Sequence, residues 1–327
     1  MIKITANPVI DSNTLLKNIL LFCSWTIFVF LAGNKNFETW ADIHTYLSYF
    51  NQARYIVNFE DYFIEYYDPL FLLLIKPFTF FENGFYYFLL VMAGVTLILK
   101  YIVFSKVSNH FLLLLLVYFS FLFFLHDYVQ IRIALSLALF LWAMYIVKSN
   151  ACRSAIFILS FFVQASIIIL ILFFILSKKL TKIKLVLLRL SIILFSNILI
   201  RFFSFIPKVS LYLQLLSEMN YKETNLFSSM VITQLITLSY LKVHYNTTGV
   251  DTLWLEYRLS WIGIVLFYAF YQCPVFAYRF YELFLIFFVI LVSNICKKDL
   301  ITLLLFIILI FSGLKTTFFG KEILTPF

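Results

Sequence analysis

The sequence predicts an all-α, polytopic integral membrane protein, and three observations carry that expectation. Hydrophobic residues make up 63% of the 327 positions, mean hydropathy is +0.98 and only 13% of residues are charged, a make-up foreign to soluble globules. Apolar stretches recur from residue 15 almost to the C-terminus, many of them reaching the roughly 20 residues that a bilayer core demands of a helix. Lysines and arginines gather at the ends of these stretches, as in KKLTKIK (178–184) and Lys297 with Lys298. Membrane topology explains the net charge of +9 through that placement, so no nucleic-acid partner is expected. A single transmembrane domain over 1–327 follows, of about nine to eleven membrane helices with one or two broken or re-entrant segments.

The predicted spans are 15–32, 84–104, 110–125, 129–147, 185–205, 227–242, 252–270, 274–295 and 300–314. The first lacks a small-residue cleavage pattern and precedes many similar segments, so it reads as a retained span. Two further apolar segments are ambiguous. Segment 69–81 makes about 20 Å of helix, less than the hydrocarbon thickness, and contains Pro77 ahead of an ENG turn, which suggests a re-entrant or broken helix. Segment 153–177 is interrupted near Gln164 and reads as dipping into the membrane and returning.

Charge sets the expected topology. With the N-terminus inside, loop 33–68 faces outward, holding Glu38, Asp42, Glu60, Asp61, Glu65 and Asp68 against Lys35 and Arg54. Lys100, Lys106, Lys148, Arg153 and KKLTKIK then fall inside, Asp127 and Arg132 lie at the outer face, and loop 206–226 is also outer. A model in which 69–81 and 153–177 both cross also satisfies parity, but it exports basic residues. The four cysteines (Cys23, Cys152, Cys273, Cys296) have no metal-type spacing, the four histidines are far apart without HxxxH or HExxH, and seven glycines build neither a phosphate loop nor a GxxxG face. No metal and no cofactor are expected. The 42 Phe and 21 Tyr read as lipid-facing filler.

Polar groups inside such a chain need explanation, because charge at membrane level is expensive to keep. Arg132, in QIRIALSLALFLWAMYIV, is a permanent planar cation suited to phosphate or pyrophosphate, and equally an arginine that snorkels to headgroups. Arg279 has Glu282 at i+3, so it is either half of a helix-orienting ion pair or a second cation for an anionic headgroup. Arg189, Arg201 and Arg258 read as interfacial anchors. Asp68, before Pro69 in YYDPLF, doubles as a helix N-cap, while Asp42 in WADIHTY has Tyr46 one turn on.

In order and spacing, Asp42 with Tyr46, Asp68 with Pro69, QIRIALSLALF with its basic end, and a helix interrupted by FFVQAS resemble the EpsG family of Wzy-like polysaccharide polymerases. The likeness covers about residues 20–180 and, more weakly, the Arg279 region. It implies polymerisation of oligosaccharide repeat units on undecaprenyl pyrophosphate at the outer face of the bacterial inner membrane. The partners it implies are the lipid-linked substrate, membrane lipids and a chain-length regulator protein. On this resemblance Asp42, Arg132 and Asp68 are expected to be catalytic, with Arg279, Asp127, Tyr46, Gln164 and Tyr67 binding substrate. Two positions depart from the family pattern: Asp68 stands where Glu is common, and Gln164 where His is common, and glutamine cannot trade protons near neutral pH. The alternatives weighed are a flippase or transporter of a lipid-linked saccharide, for which no internal repeat is visible, a polyprenyl-phosphate-dependent glycosyltransferase, and a membrane acyltransferase.

Overall fold

The structure, a computed structural model, describes residues 12–34, 42–58, 68–203, 224–244 and 254–319. These residues form helices and contain no strand: α1 (Ser12–Gly33), α2 (Ile43–Tyr55), α3 (Pro69–Ile75), a 3-10 turn (Lys76–Phe80), α4 (Gly84–Val107), α5 (Phe111–Val117) running into a π-helix (Tyr118–Val129), α6 (Ile131–Tyr145), α7 (Asn150–Val163), α8 (Ile167–Lys179), α9 (Lys182–Phe203), α10 (Ser229–His244), α11 (Trp254–Ala269), α12 (Pro274–Ile295) and α13 (Leu300–Phe319). By length and composition, four are apolar and long enough to cross a membrane: α4, α5 with its π extension, α12 and α13. The chain is a helical membrane protein. The nine helices predicted as spans all form, with ends shifted by a few residues from the expected ones.

Segment 69–81 is a broken helix, as its short length and Pro77 imply. Lys76 closes its junction with α2, donating from Nζ to the carbonyls of Arg54 (3.1 Å) and Ile56 (2.7 Å). Gly84 then starts α4 so close to the Phe78 carbonyl that a Cβ there would collide with it. Phe71, Phe78 and Phe88 pack edge to face, which seats the broken helix against α4.

Segment 153–177 is two helices, α7 and α8, folded against each other about a break at Gln164–Ser166. Phe157 and Phe174, on either side of that break, have ring centroids 5.7 Å apart, and Phe140 of α6 packs on both. The base of the pair returns to one end, with Arg153 and Lys178 close enough to act on each other electrostatically. At 14 and 13 residues, each arm rises about 20 Å, short of a hydrocarbon core of about 30 Å. Helix α6 lines one side, where small residues allow close approach: Ser136 and Ser160 donate to one another's carbonyls, each at 2.8 Å.

One end of the bundle collects the basic chain turns. Arg153 donates to the carbonyls of Ala143 (3.1 Å) and Val147 (2.7 Å) at the C-terminus of α6. Arg258 donates to Ser177 and Leu180 at the end of α8, and Arg189 donates to the Arg258 carbonyl at 3.2 Å. Rather than anchoring in headgroups, Arg258 caps carbonyls that a helix end leaves without partners; Arg201 carries no described side chain. Asn294 bridges α12 to the α4–α5 turn, donating to the Val107 carbonyl at 3.1 Å. At the opposite end lie Arg132, the Thr224–Leu226 segment and the α11–α12 turn, where Thr224 Oγ1 donates to the Tyr271 carbonyl and Tyr268 to the Leu226 carbonyl. Loop 33–68 contains α2, with 35–41 and 59–67 outside the described residues, and loop 206–226 falls largely outside them.

This hairpin puts KKLTKIK and Lys148 at the same end of the helix bundle. In a variant free of native cysteines, a cysteine at Thr181 or at Lys148 is expected to resist a membrane-impermeant thiol reagent in intact cells and to react after lysis. Labelling of either in intact cells would require α7 and α8 to cross separately.

Candidate functional site

The N-terminus of α6, the N-terminus of α3 and the tip of the α7–α8 hairpin meet at Arg132. Asp68 sits at the N-cap position of α3, as expected, but its side chain makes no capping bond. Instead Oδ2 accepts from Arg132 Nη1 at 2.5 Å and Oδ1 accepts from the Ala165 backbone N–H at 3.2 Å, with the carboxylate fully buried. The hairpin break exposes backbone donors that lipid cannot satisfy, and a carboxylate that also needs a cation answers both demands.

Helix α2 supplies an aromatic wall to the guanidinium. Tyr49 accepts from Nη1 at 2.7 Å, and the guanidinium carbon lies 4.7 Å from the Tyr49 ring centroid and 5.7 Å from that of Tyr46. The Tyr46 hydroxyl accepts the Arg132 backbone N–H at 3.3 Å. Burial pushes the Tyr46 hydroxyl up to about 12, against the pull of the Arg132 charge and with the nearby Asp42 charge adding to it, so it keeps its proton at neutral pH. Asp42 is the half-buried residue that starts α2, and its side chain makes no capping bond. Since Nη1 makes both side-chain bonds of Arg132, the other edge of the guanidinium is left over: Nε is buried and has no partner among the described residues. An arginine held this way does not snorkel. It presents an oriented pair of donors to an oxyanion.

Gln164 is at the hairpin tip, donating to Ser166 Oγ at 3.3 Å, while its Oε1 is buried without a partner. Arg279 and Glu282 form no ion pair. Glu282 Oε2 accepts from Gln130 Nε2 at 3.4 Å, which brings α12 to the residue two before Arg132, and Arg279 acts on the buried His126. Tyr67 lies outside the described residues, as do Glu60 and Asp61.

Asp127 departs from expectation. It does not join Arg132 at an outer face, and Lys100 is no basic-end residue: the two form a fully buried ion pair at 2.8 Å. Tyr118 completes the group, accepting from Lys100 Nζ at 2.7 Å and donating to Asp127 Oδ2. Helical side chains lean toward their own N-terminus, so in these antiparallel elements the lysine reaches toward one end and the aspartate toward the other, and they meet in the interior. Sequence reasoning missed Tyr49, Gln130 and His126 as well as this triad. The signals were present: Tyr49 is at i+3 from Tyr46, and Lys100 lies seven residues inside the end of α4, well short of Lys106 in the last turn.

Read along the chain, the residues at this junction follow the order of one family, whose match runs over residues 18–324, nearly the whole length. The chain belongs to the EpsG family. No curated protein and no solved structure matches it. The EpsG family is Wzy-like and polymerase-associated, and membership suggests a membrane polysaccharide polymerase-type function. In this EpsG-family chain the Asp42–Tyr46, Asp68–Pro69 and Arg132 signatures converge on one place, although nearly a hundred residues of sequence separate them.

The triad yields a stability prediction. Lys100→Met strands a buried carboxylate and is expected to destabilise the protein by about 3–5 kcal/mol, whereas Lys100→Met with Asp127→Leu recovers most of that loss. Thermal unfolding in detergent checks both, and equal destabilisation of the single and double variants would count against a buried pair.

Proposed function

We propose that this EpsG-family protein joins undecaprenyl-pyrophosphate-linked oligosaccharide repeat units into O-antigen or capsular polysaccharide at the outer face of the bacterial inner membrane. The observation that carries this reading is the Arg132 guanidinium, fixed through Nη1 by Asp68 and Tyr49 with Nε still without a partner. In this reading α1, α4, α5 with its π extension, α6 and α9 to α13 cross the membrane, nine passes in all, while α3 and the α7–α8 hairpin do not. The Arg132 end is then the outer one.

The donor is the growing chain on its lipid pyrophosphate, and the acceptor is the terminal sugar of a new lipid-linked unit. The acceptor oxygen bonds to the donor anomeric carbon, the bond from that carbon to the pyrophosphate oxygen breaks, and the electron pair leaves on the pyrophosphate. Arg132 and Arg279 offset the developing charge. Asp68 aims the Arg132 guanidinium, and Tyr46 and Tyr49 hold its plane. Substrate contact extends to Gln164 at the hairpin tip, whose Oε1 is unsatisfied. Since Asp68 is committed to Arg132 and Ala165, the acceptor proton goes elsewhere; Asp42 is the carboxylate within reach of the Tyr46 wall.

Arg132→Lys keeps the charge but loses the planar donor set, so it is expected to cost activity corresponding to about 2–3 kcal/mol, read as loss of long-chain polysaccharide at equal protein level. Normal chains from Arg132→Lys would favour an interfacial arginine. Among the described residues no group of three or more His, Cys, Asp or Glu is arranged to hold a metal. With two arginines available for the leaving group, reconstituted polymerisation is expected to survive EDTA. Loss of the product ladder on chelation, restored by magnesium or manganese, would instead favour a polyprenyl-phosphate-dependent glycosyltransferase with loop carboxylates as ligands.

A further inference from the structure

The buried polar atoms without partners are not scattered evenly. On the stretch that leads into Arg132 they comprise both ring nitrogens of His126, Oε1 of Gln130 and Nε of Arg132. His126 is fully buried in the π-helix. Leaving a buried donor or acceptor unsatisfied is costly, and an imidazole with both nitrogens unsatisfied is an arrangement that a hydroxyl-bearing ligand would relieve. A long π-helix is itself rare, and such wide turns gather at functional sites because they re-aim side chains.

Charge around the ring is equally specific. Lys100 on α4 and Arg279 on α12 are the charged groups that act on it. Lys100 is already matched by Asp127, whose Oδ1 takes the ammonium and Oδ2 the Tyr118 hydroxyl, so neither oxygen of this neighbouring carboxylate turns to the imidazole. Arg279 has no ion-pair partner within 4 Å among the described residues. A pyrophosphate docked on Arg279 would supply the missing negative charge next to the ring.

We propose that His126 is the catalytic base of this site: it takes the hydroxyl proton of the acceptor sugar as that oxygen bonds to the donor anomeric carbon. This rests on the polymerase reading and deepens it by assigning the proton. The C1–oxygen bond to the pyrophosphate breaks in the same step, the electron pair departs with the leaving group against Arg132 and Arg279, and the proton on the imidazole passes to the departing pyrophosphate or to water. The Gln130–Glu282 bond, 3.4 Å long and four residues from His126, is the contact an incoming sugar hydroxyl replaces. Two groups thus compete for the role, Asp42 and His126; both ring nitrogens of His126 are buried without a partner, and its charged neighbours are Lys100, paired with Asp127, and Arg279, which has no ion-pair partner among the described residues.

The test uses the full-length protein reconstituted in liposomes with lipid-linked repeat units. His126→Gln still hydrogen-bonds but cannot carry a proton, and it is expected to lower kcat by about 100-fold or more with little change in KM. Imidazole added to His126→Gly should restore part of the rate, which a merely structural histidine would not allow, and a weakly basic azole of the same size should not. If the glutamine variant does not accumulate, His126→Asn is read in the same way. Unchanged kcat in His126→Gln, failure of imidazole to revive a folded His126→Gly, or an inactive Asp42→Asn beside an active His126→Gln would each overturn the assignment. Failure of the polymerase reading looks different: there, Arg132→Lys is fully active or the wild-type protein yields no ladder.

Discussion

Asp68 holds together pieces of chain that no continuous helix connects. Its two oxygens bond a guanidinium on α6 and the backbone amide at the tip of the α7–α8 hairpin, while its own backbone carbonyl accepts from Phe71 and Leu72 to begin α3. A break in a membrane helix leaves amides with no water to serve them, and an isolated arginine in the same setting leaves a charge with none. One carboxylate resolves both.

The second buried pair shows the contrast. Lys100, Tyr118 and Asp127 close on one another, each strong donor meeting a strong acceptor, and such a group fixes how α4 and the π-helix lie together. The Arg132 group is closed on one edge and open on the other. A closed network specifies structure; a network with one oriented edge left over can hold something else.

Much of this was legible in the sequence. Helices form over all nine segments predicted as spans, four of them long and apolar enough to cross a membrane, because lipid leaves the backbone few options. Pro77 and the FFVQAS interruption marked the two segments that break into shorter helices, and the sequence singles out Asp42, Tyr46, Asp68 and Arg132 without showing which of them touch. Partners across the bundle were not legible. Lys100 looked like a basic flank because it stands near a helix end, and Asp127 looked like a neighbour of Arg132 because it is five residues away; only the leaning of side chains in antiparallel helices reveals that they meet. His126 had no motif to mark it, since its significance lies in the bonds it does not make. Glu282 at i+3 from Arg279 left an ion pair and a cation for an anionic headgroup equally open; Glu282 turns to Gln130 at the start of α6, a choice fixed by packing rather than by spacing.

The height of the hairpin has a consequence for the lipid beside it. Arms of about 20 Å match only part of a hydrocarbon core of about 30 Å. Hydrophobic mismatch of that size is relieved by thinning of the adjoining leaflet, at a fraction of a kcal/mol per ångström. In the proposed placement, in which the hairpin does not cross, headgroups on the flank where Ile158, Leu159, Leu172 and Ile175 face outward are drawn down toward the depth of Gln164 and Ala165. A long-tailed lipid arriving there in that placement meets the Arg132–Asp68 pair beside the tip without lifting its tail out of the bilayer.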